Sequence, residues 1–196
     1  KDKQENTPFH YASCRETKSV AEQLSLAKGI DFTIKNKQGN TPLHLAAQTL
    51  SRVIEFVITV PGIDINAVNK EGQTPLHIAA KRNRAESTQV LVAQENIKLN
   101  VHDNKGMTPL LIAAKSGFID VVKVLAKTPG IDPNDGNPLY EAAINGWIDV
   151  VIVLIEVPGI NLSQPGPDGK NYIEVVPSPN DKAKIKEALI HFDRKK

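Results

Sequence analysis

Polar and apolar residues follow one another along this chain in blocks of a fixed design. A Thr or Asn stands before a Pro, and a short apolar run ending in paired alanines follows. A polar break, a second apolar run and a Pro-Gly stop complete the block. Gly39–Ala47 reads GNTPLHLAA, and the line returns as GQTPLHIAA at Gly72–Ala80 and GMTPLLIAA at Gly106–Ala114. The pattern predicts a short helix in each copy. Thr is a good N-cap because its hydroxyl accepts a hydrogen bond from a free helix N–H. Pro costs nothing at the first helical position. Leu43, Leu76 and Leu110 then face inward. The pairs Ala46-Ala47, Ala79-Ala80, Ala113-Ala114 and Ala142-Ala143 keep the helix thin enough for close neighbours. Gly117 and Gly146 are expected to end their helices as left-handed C-caps. Asn83 takes that place in another copy, since Asn tolerates the conformation.

The second runs, STQVLVAQ, IDVVKVLAK and IDVVIVLIE, carry the wide apolar stripe of a helix buried between neighbours. PGIDIN (Pro61–Asn66), PGIDPN (Pro129–Asn134) and PGINLS (Pro158–Ser163) stop it and turn the chain outward. Aligned on the cap residue, the copies begin at Thr7, Thr41, Thr74, Thr108, Asn137 and Asn171, in steps of 34, 33, 34, 29 and 34 residues. A period near 33 with TPLHxAA resembles the ankyrin repeat over nearly the whole chain. The resemblance implies an all-α fold: a solenoid of about five helix-turn-helix repeats with β-hairpin fingers and a C-terminal capping helix. The repeats run over about 2–35, 36–68, 69–102, 103–134 and 135–166, with an eroded sixth from 167 and the capping helix and basic tail over 177–196. No repeat can bury its own apolar face, so stability comes from neighbour on neighbour.

Two departures stand out. Thr33, Asn66 and Asn100 each precede the next cap by eight residues, but Asn134 precedes Asn137 by three. The finger between repeats four and five is therefore cut short by five residues. The last finger, through QPGPDG, is expected to be longer and irregular. Beyond it, Asn180 or Asp181 can cap a helix running to about Phe192, with Ile185, Leu189 and Phe192 on one side and a charged outer face.

Composition narrows the function. The chain has 196 residues, 40% hydrophobic, 23% charged and 5% aromatic, with net charge +2. Such a balance gives no electrostatic reason to expect nucleic acid. The only cysteine is Cys14, so no internal disulfide forms, and a lone thiol fits a reducing, cytoplasmic compartment. The sequon at Asn161-Leu162-Ser163 is then irrelevant. The longest apolar run, Val150–Ile155, is too short to span a bilayer. The chain opens at Lys1 with a repeat already under way, which reads as a fragment of something longer. Lys outnumbers Arg 19 to 5, which suits an AT-rich genome such as those of protozoa and intracellular bacteria; delivery to a host cell would follow from a source of that kind.

Three of the five histidines, His10, His44 and His77, occupy one motif slot. Stacked helices lie about 8–10 Å apart, whereas zinc holds imidazole nitrogen at about 2.0–2.1 Å and its ligands must converge. Leu111 and Tyr140 fill the same slot and cannot serve as ligand or base. The slot reads as a buried polar side chain that bonds neighbouring backbone and ties repeats together. His10 and Cys14 are four apart on a helix and could touch, but no third orienting group is evident. PGPDGK lacks the first glycine of a phosphate loop, because Gln164 stands there. No metal site, cofactor or catalytic residue is expected in this chain.

The ankyrin resemblance implies that the chain binds another protein across the concave side, built from finger tips and the exposed parts of the first helices. Residue by residue it implies Lys37, Gln38, Asn40 and Gln48 in repeat two, and Lys70, Glu71, Gln73, Lys81 and Arg82 in repeat three. Repeat four gives Asn104, Lys105, Met107 and Lys115. Lys3, Gln4, Asn6, Cys14, Arg15, Thr49, Ser116, Ile144 and Asn145 extend the surface. Eight cations face one acid, Glu71, so the expected partner presents an acidic segment to a monomer, with contacts centred on repeats two to four. Trp147 either packs over the loop between helices or serves as an exposed anchor. Two other readings stand beside a binding module. The repeats are the target-recognition part of a larger enzyme or effector, or they belong to a structural scaffold or adaptor.

Overall fold

The computed structural model describes residues 1–14, 23, 31–49 and 53–193. The regular elements among them are helices: α1 (Pro8–Cys14), α2 (Pro42–Ala47), α3 (Val53–Val57), α4 (Pro75–Lys81), α5 (Ala85–Val92), α6 (Pro109–Lys115), α7 (Ile119–Ala126), α8 (Pro138–Ile144), α9 (Ile148–Ile155), α10 (Tyr172–Val175) and α11 (Pro179–Asp193). The first helices α1, α2, α4, α6 and α8 stack in order, and each from α2 on packs against the second helix of its own repeat. α10 closes the inner row and α11 lies on α9. None of these helices is long and apolar enough to cross a membrane.

The stack is close because its contact residues are small. All eight paired alanines of α2, α4, α6 and α8 are fully buried, as are Leu43, Leu76, Leu110 and Leu139. Asn83, Gly117 and Gly146 end their helices with φ of 54°, 72° and 75°, the left-handed conformation that the pattern demanded. α11 begins at Pro179, earlier than the Asn180 or Asp181 cap expected, because the Ser178 hydroxyl accepts from the Asp181 N–H (3.4 Å). Ile185 is its fully buried residue, with Leu189 and Phe192 half-buried.

The motif histidine does two things at once. In repeats one to three the Thr N–H donates to its Nδ1 at 3.2, 3.1 and 3.1 Å, so Nδ1 is unprotonated. His thereby plays the part that Glu takes in a capping box. The proton sits on Nε2, which donates to the residue just before the next cap: His10 to Asn40 O (3.0 Å), His44 to Gln73 O (2.9 Å) and His77 to Met107 O (3.0 Å). Each ring thus caps its own helix and clasps the next repeat. Burial lowers the pKa of all three, His44 to about 4.

The clasp ends where the finger is missing. In repeat four Leu111 replaces His, and the residue before the next cap is Gly136. Leu111 lies where a Gly136 side chain would go: a Cβ there would meet its Cδ2 at 2.4 Å. Asn137 caps α8 from the left-handed region (φ 57°), whereas Thr41, Thr74 and Thr108 cap from extended backbone. The shortened chain arrives through a tight turn closed by Asn137 N–H to Asn134 O (2.9 Å), and Asn accepts that geometry where Thr would be strained. In repeat five Tyr140 fills the slot and lies against Gly166 of the last finger.

A second row of ties runs along the loops and does not stop. Asn66, Asn100 and Asn134 each donate from Nδ2 to a carbonyl one repeat ahead, at 2.9, 2.8 and 2.9 Å (Asn96, Gly130 and Gly159). Each also accepts from the N–H of Lys98, Asp132 or Asn161 in that repeat. The array therefore stays fastened across the deletion on this side.

The clasps make stability depend on pH. The three rings are neutral when folded, while an unfolded His takes a proton near pH 6.5. Stability is complete above that value and falls as pH drops toward the folded pKa, with His44 alone contributing about 3 kcal/mol of the loss. Urea midpoints measured from pH 7 to pH 4 should fall, and more shallowly in a His44→Gln variant. Leu111→His restores the motif letter but puts a polar ring where Leu111 packs against Gly136. It should cost about 1–3 kcal/mol in the same measurement rather than stabilise.

Candidate functional site

The fingers are closed turns, and no strand occurs among the described residues. Each full finger is built on one Asn or Asp: Asn36, Asn69 or Asp103. Its N–H donates to the carbonyl four residues on (Asn40, Gln73, Met107) at 3.0 Å in each case. Its side chain accepts two backbone N–H groups from inside the turn. Burial pushes the Asp103 carboxyl up, but those donors together with the Gln73 amide hold it below the usual range.

Each finger leans on the one before it. Lys37 N–H donates to Gln4 O (2.9 Å), Lys70 N–H to Gln38 O (3.0 Å) and Asn104 N–H to Glu71 O (2.9 Å). Glycine allows the approach: a Cβ on Gly39 would lie 2.8 Å from Lys70 N, and one on Gly72 would lie 2.8 Å from Asn104 N. Several residues singled out from the sequence are spent on this contact. Asn40 accepts from Asn69 (2.9 Å), Asn104 Nδ2 donates to Lys70 O (2.9 Å), and Gln38 donates to Gln4 (3.1 Å). Gln73 is buried, its amide given to Asp103 (3.3 Å), so it lies beneath the surface rather than on it. Met107 is half-buried and its carbonyl receives His77.

Lys37, Lys70, Lys81, Arg82, Lys105 and Lys115 are all exposed, with Gln48 half-buried among them. Arg15 falls outside the described residues. Lys81 pairs with Glu71 (3.3 Å), the acid foreseen, but Lys115 pairs with Glu141 (2.9 Å), which the sequence reading left out. Glu141 stands where the other first helices carry Tyr11, Leu45, Ile78 and Ile112. Those residues form an apolar floor beside the cations, with Tyr11 43% exposed, Leu45 and Ile78 half-buried and Ile112 covered. Ile144 is 46% exposed at the slot that holds Lys81 and Lys115 in earlier repeats.

Trp147 packs over the loop between helices and stays partly exposed. Its indole N–H donates to Lys115 O (3.0 Å) and its ring lies on Gly117, yet 43% of the residue is exposed. Cys14 donates to Tyr11 O (3.3 Å) while both His10 nitrogens are engaged by Thr7 and Asn40, so the two do not form a pair. Among the described residues no three His, Cys, Asp or Glu side chains gather closely enough to hold a metal ion. A groove of about 690 Å³ between α7 and α9, floored by Ala126, Ile131, Val153 and Val157, contains none of the residues singled out from the sequence.

A search of curated proteins finds no match to the chain. Among solved structures the chain is similar to the ankyrin repeat domain of Bcl-3, described as a unique member of the IkappaB protein family. That likeness has a TM-score of 0.79 at 22% identity over 97% of this chain and 87% of the other, and it shows the fold. The family model for ankyrin repeats, in three copies, matches residues 1–69 and 49–137, well over half of the sequence. With the repeating cap, clasp and alanine pair explained by that architecture, the chain belongs to the ankyrin repeat family.

Proposed function

We propose that this chain binds an acidic segment of a partner protein, laid across the finger tips and first helices of repeats two to four. Ankyrin repeats are generally protein–protein interaction modules. The observation that carries the reading is a set of unanswered charges. Lys37, Lys70, Arg82 and Lys105 are exposed and, among the described residues, have no carboxylate within salt-bridge distance. Such cations gain little from water-exposed pairing, but they steer an oppositely charged partner and fix its register. The apolar floor of Leu45 and Ile78 gives the same segment something to bury. Floor and cations together favour a peptide with carboxylates on its edges and aliphatic side chains beneath. The floor lacks the stacked aromatic platforms that single-stranded nucleic acid uses. The module acts as a monomer, without cofactor or catalysis of its own.

A pull-down from cell lysate, beside a Lys37→Glu, Lys70→Glu, Arg82→Glu variant, tests this. The partner should be retained by the unaltered chain, released by moderate salt, and bound at least about ten-fold more weakly by the variant. Equal retention by both would place the binding surface elsewhere.

A further inference from the structure

The row of fingers has a gap one finger wide. Wherever a full finger follows, it covers the one before: Gly39 is buried and Gly72 half-buried beneath the next finger's backbone. Gly106 occupies the same place in the fourth finger and is exposed, with no atom within 4 Å of where its Cβ would be. The carbonyls of Gln4, Gln38 and Glu71 each accept an N–H from the following finger. The equivalent carbonyl, Lys105 O, accepts none from the described residues. The shortened loop that replaces the next finger stays at the root of the gap, where Asp135 bonds His102 (3.0 Å).

The gap has a bare floor as well as an open edge. In repeat three Lys81 reaches up to Glu71 of its own finger at 3.3 Å. Its counterpart in repeat five is Ile144, whose own finger is absent, and it stands 46% exposed. An unpaired backbone acceptor and a large aliphatic side chain thus face the space that the rest of the array fills with a glycine-bearing turn. The filled positions define what fits: a backbone N–H about 2.9 Å from the carbonyl, and a turn whose own backbone passes directly over the glycine.

We propose that this gap is a docking slot for a β-turn of a partner protein, which replaces the missing finger. The incoming turn donates a backbone N–H to Lys105 O, passes over Gly106 and sets an apolar side chain on Ile144. The inference rests on the reading of the chain as a protein-binding module and adds a second, uncharged contact to it. The sequence centres the contacts on repeats two to four; the geometry adds the deletion itself as a place where a partner's backbone can be received.

The chain's own third finger is the natural probe: a peptide of residues 67–73 closed by a disulfide between cysteines added at its ends. Two-dimensional NMR of the 196-residue chain should show saturable shifts at the amides of 104–107 and at Ile144. Two variants test the site: Ile144→Lys, and a restored finger in which residues 67–73 replace Asp135 and Gly136. Each should weaken the peptide at least about ten-fold. Ile144→Lys changes an exposed residue and keeps the test sound if the restored finger does not fold. No saturable shift, or an affinity in both variants unchanged from that of the unaltered chain, would overturn the proposal. Concentration-dependent self-association without peptide would also overturn it, by giving the slot to a second copy. The Lys37, Lys70, Arg82 charge-reversed variant should keep the peptide shifts, so the slot and the acidic-segment reading fail separately.

Discussion

An imidazole ring offers one acceptor and one donor on opposite edges, provided that it stays neutral. This array uses both. Nδ1 completes the cap of one helix while Nε2–H reaches the backbone of the next repeat, so local helix formation and long-range stacking share a single ring. Protonation would turn the acceptor into a donor facing another donor, and the buried ring would carry an unpaired charge. Glu at the same place could complete the cap, but it has no second edge with a proton to give. The alanine pairs set the distance at which this reach succeeds, because helices held further apart would leave Nε2 short of its carbonyl.

The clasp and the finger are one unit. The carbonyl that each ring seeks belongs to the base of the following finger, and where that finger is missing the residue at the base is Gly136, packed against Leu111. Leu111 and the five-residue deletion are therefore one event seen in two places. A leucine there packs on Gly136 and needs no hydrogen-bond partner. Tyr140 fills the slot in a different way, with its ring against Gly166 of the irregular last finger.

The helices were legible in the sequence because their determinants are local: a Thr or Asn cap, a proline after it, an apolar residue and two alanines. The left-handed ends at Asn83, Gly117 and Gly146 were legible for the same reason. The surface was less so. Asn40 and Gln73 follow a pattern that places polar residues outside, but their partners Asn69 and Asp103 lie about thirty residues away and take them out of play. Glu141 was missed because that helical position is aromatic or aliphatic in the other copies, so its charge has no precedent in the repeat. Ser178 hides behind a proline, and the two polar residues after it look like equally good caps. Residues of identical type thus divide into scaffold and free surface according to neighbours that only the stacking brings together.

Three kinds of fastening join repeat two to three and three to four: packed helices, the asparagine loop ties and the imidazole clasp with its finger contact. Between repeats four and five the third is absent, and the Lys115–Glu141 ion pair and the Trp147 indole N–H to Lys115 O stand beside the first two. In a linear array, stability is a sum of unit terms and junction terms, and cooperativity is transmitted through the junctions. The weakest junction then sets the length of the segment that melts as one. The junction at the deletion therefore differs in kind from its neighbours, and Trp147, the chain's one tryptophan, bridges it through Lys115 and reports on it by fluorescence.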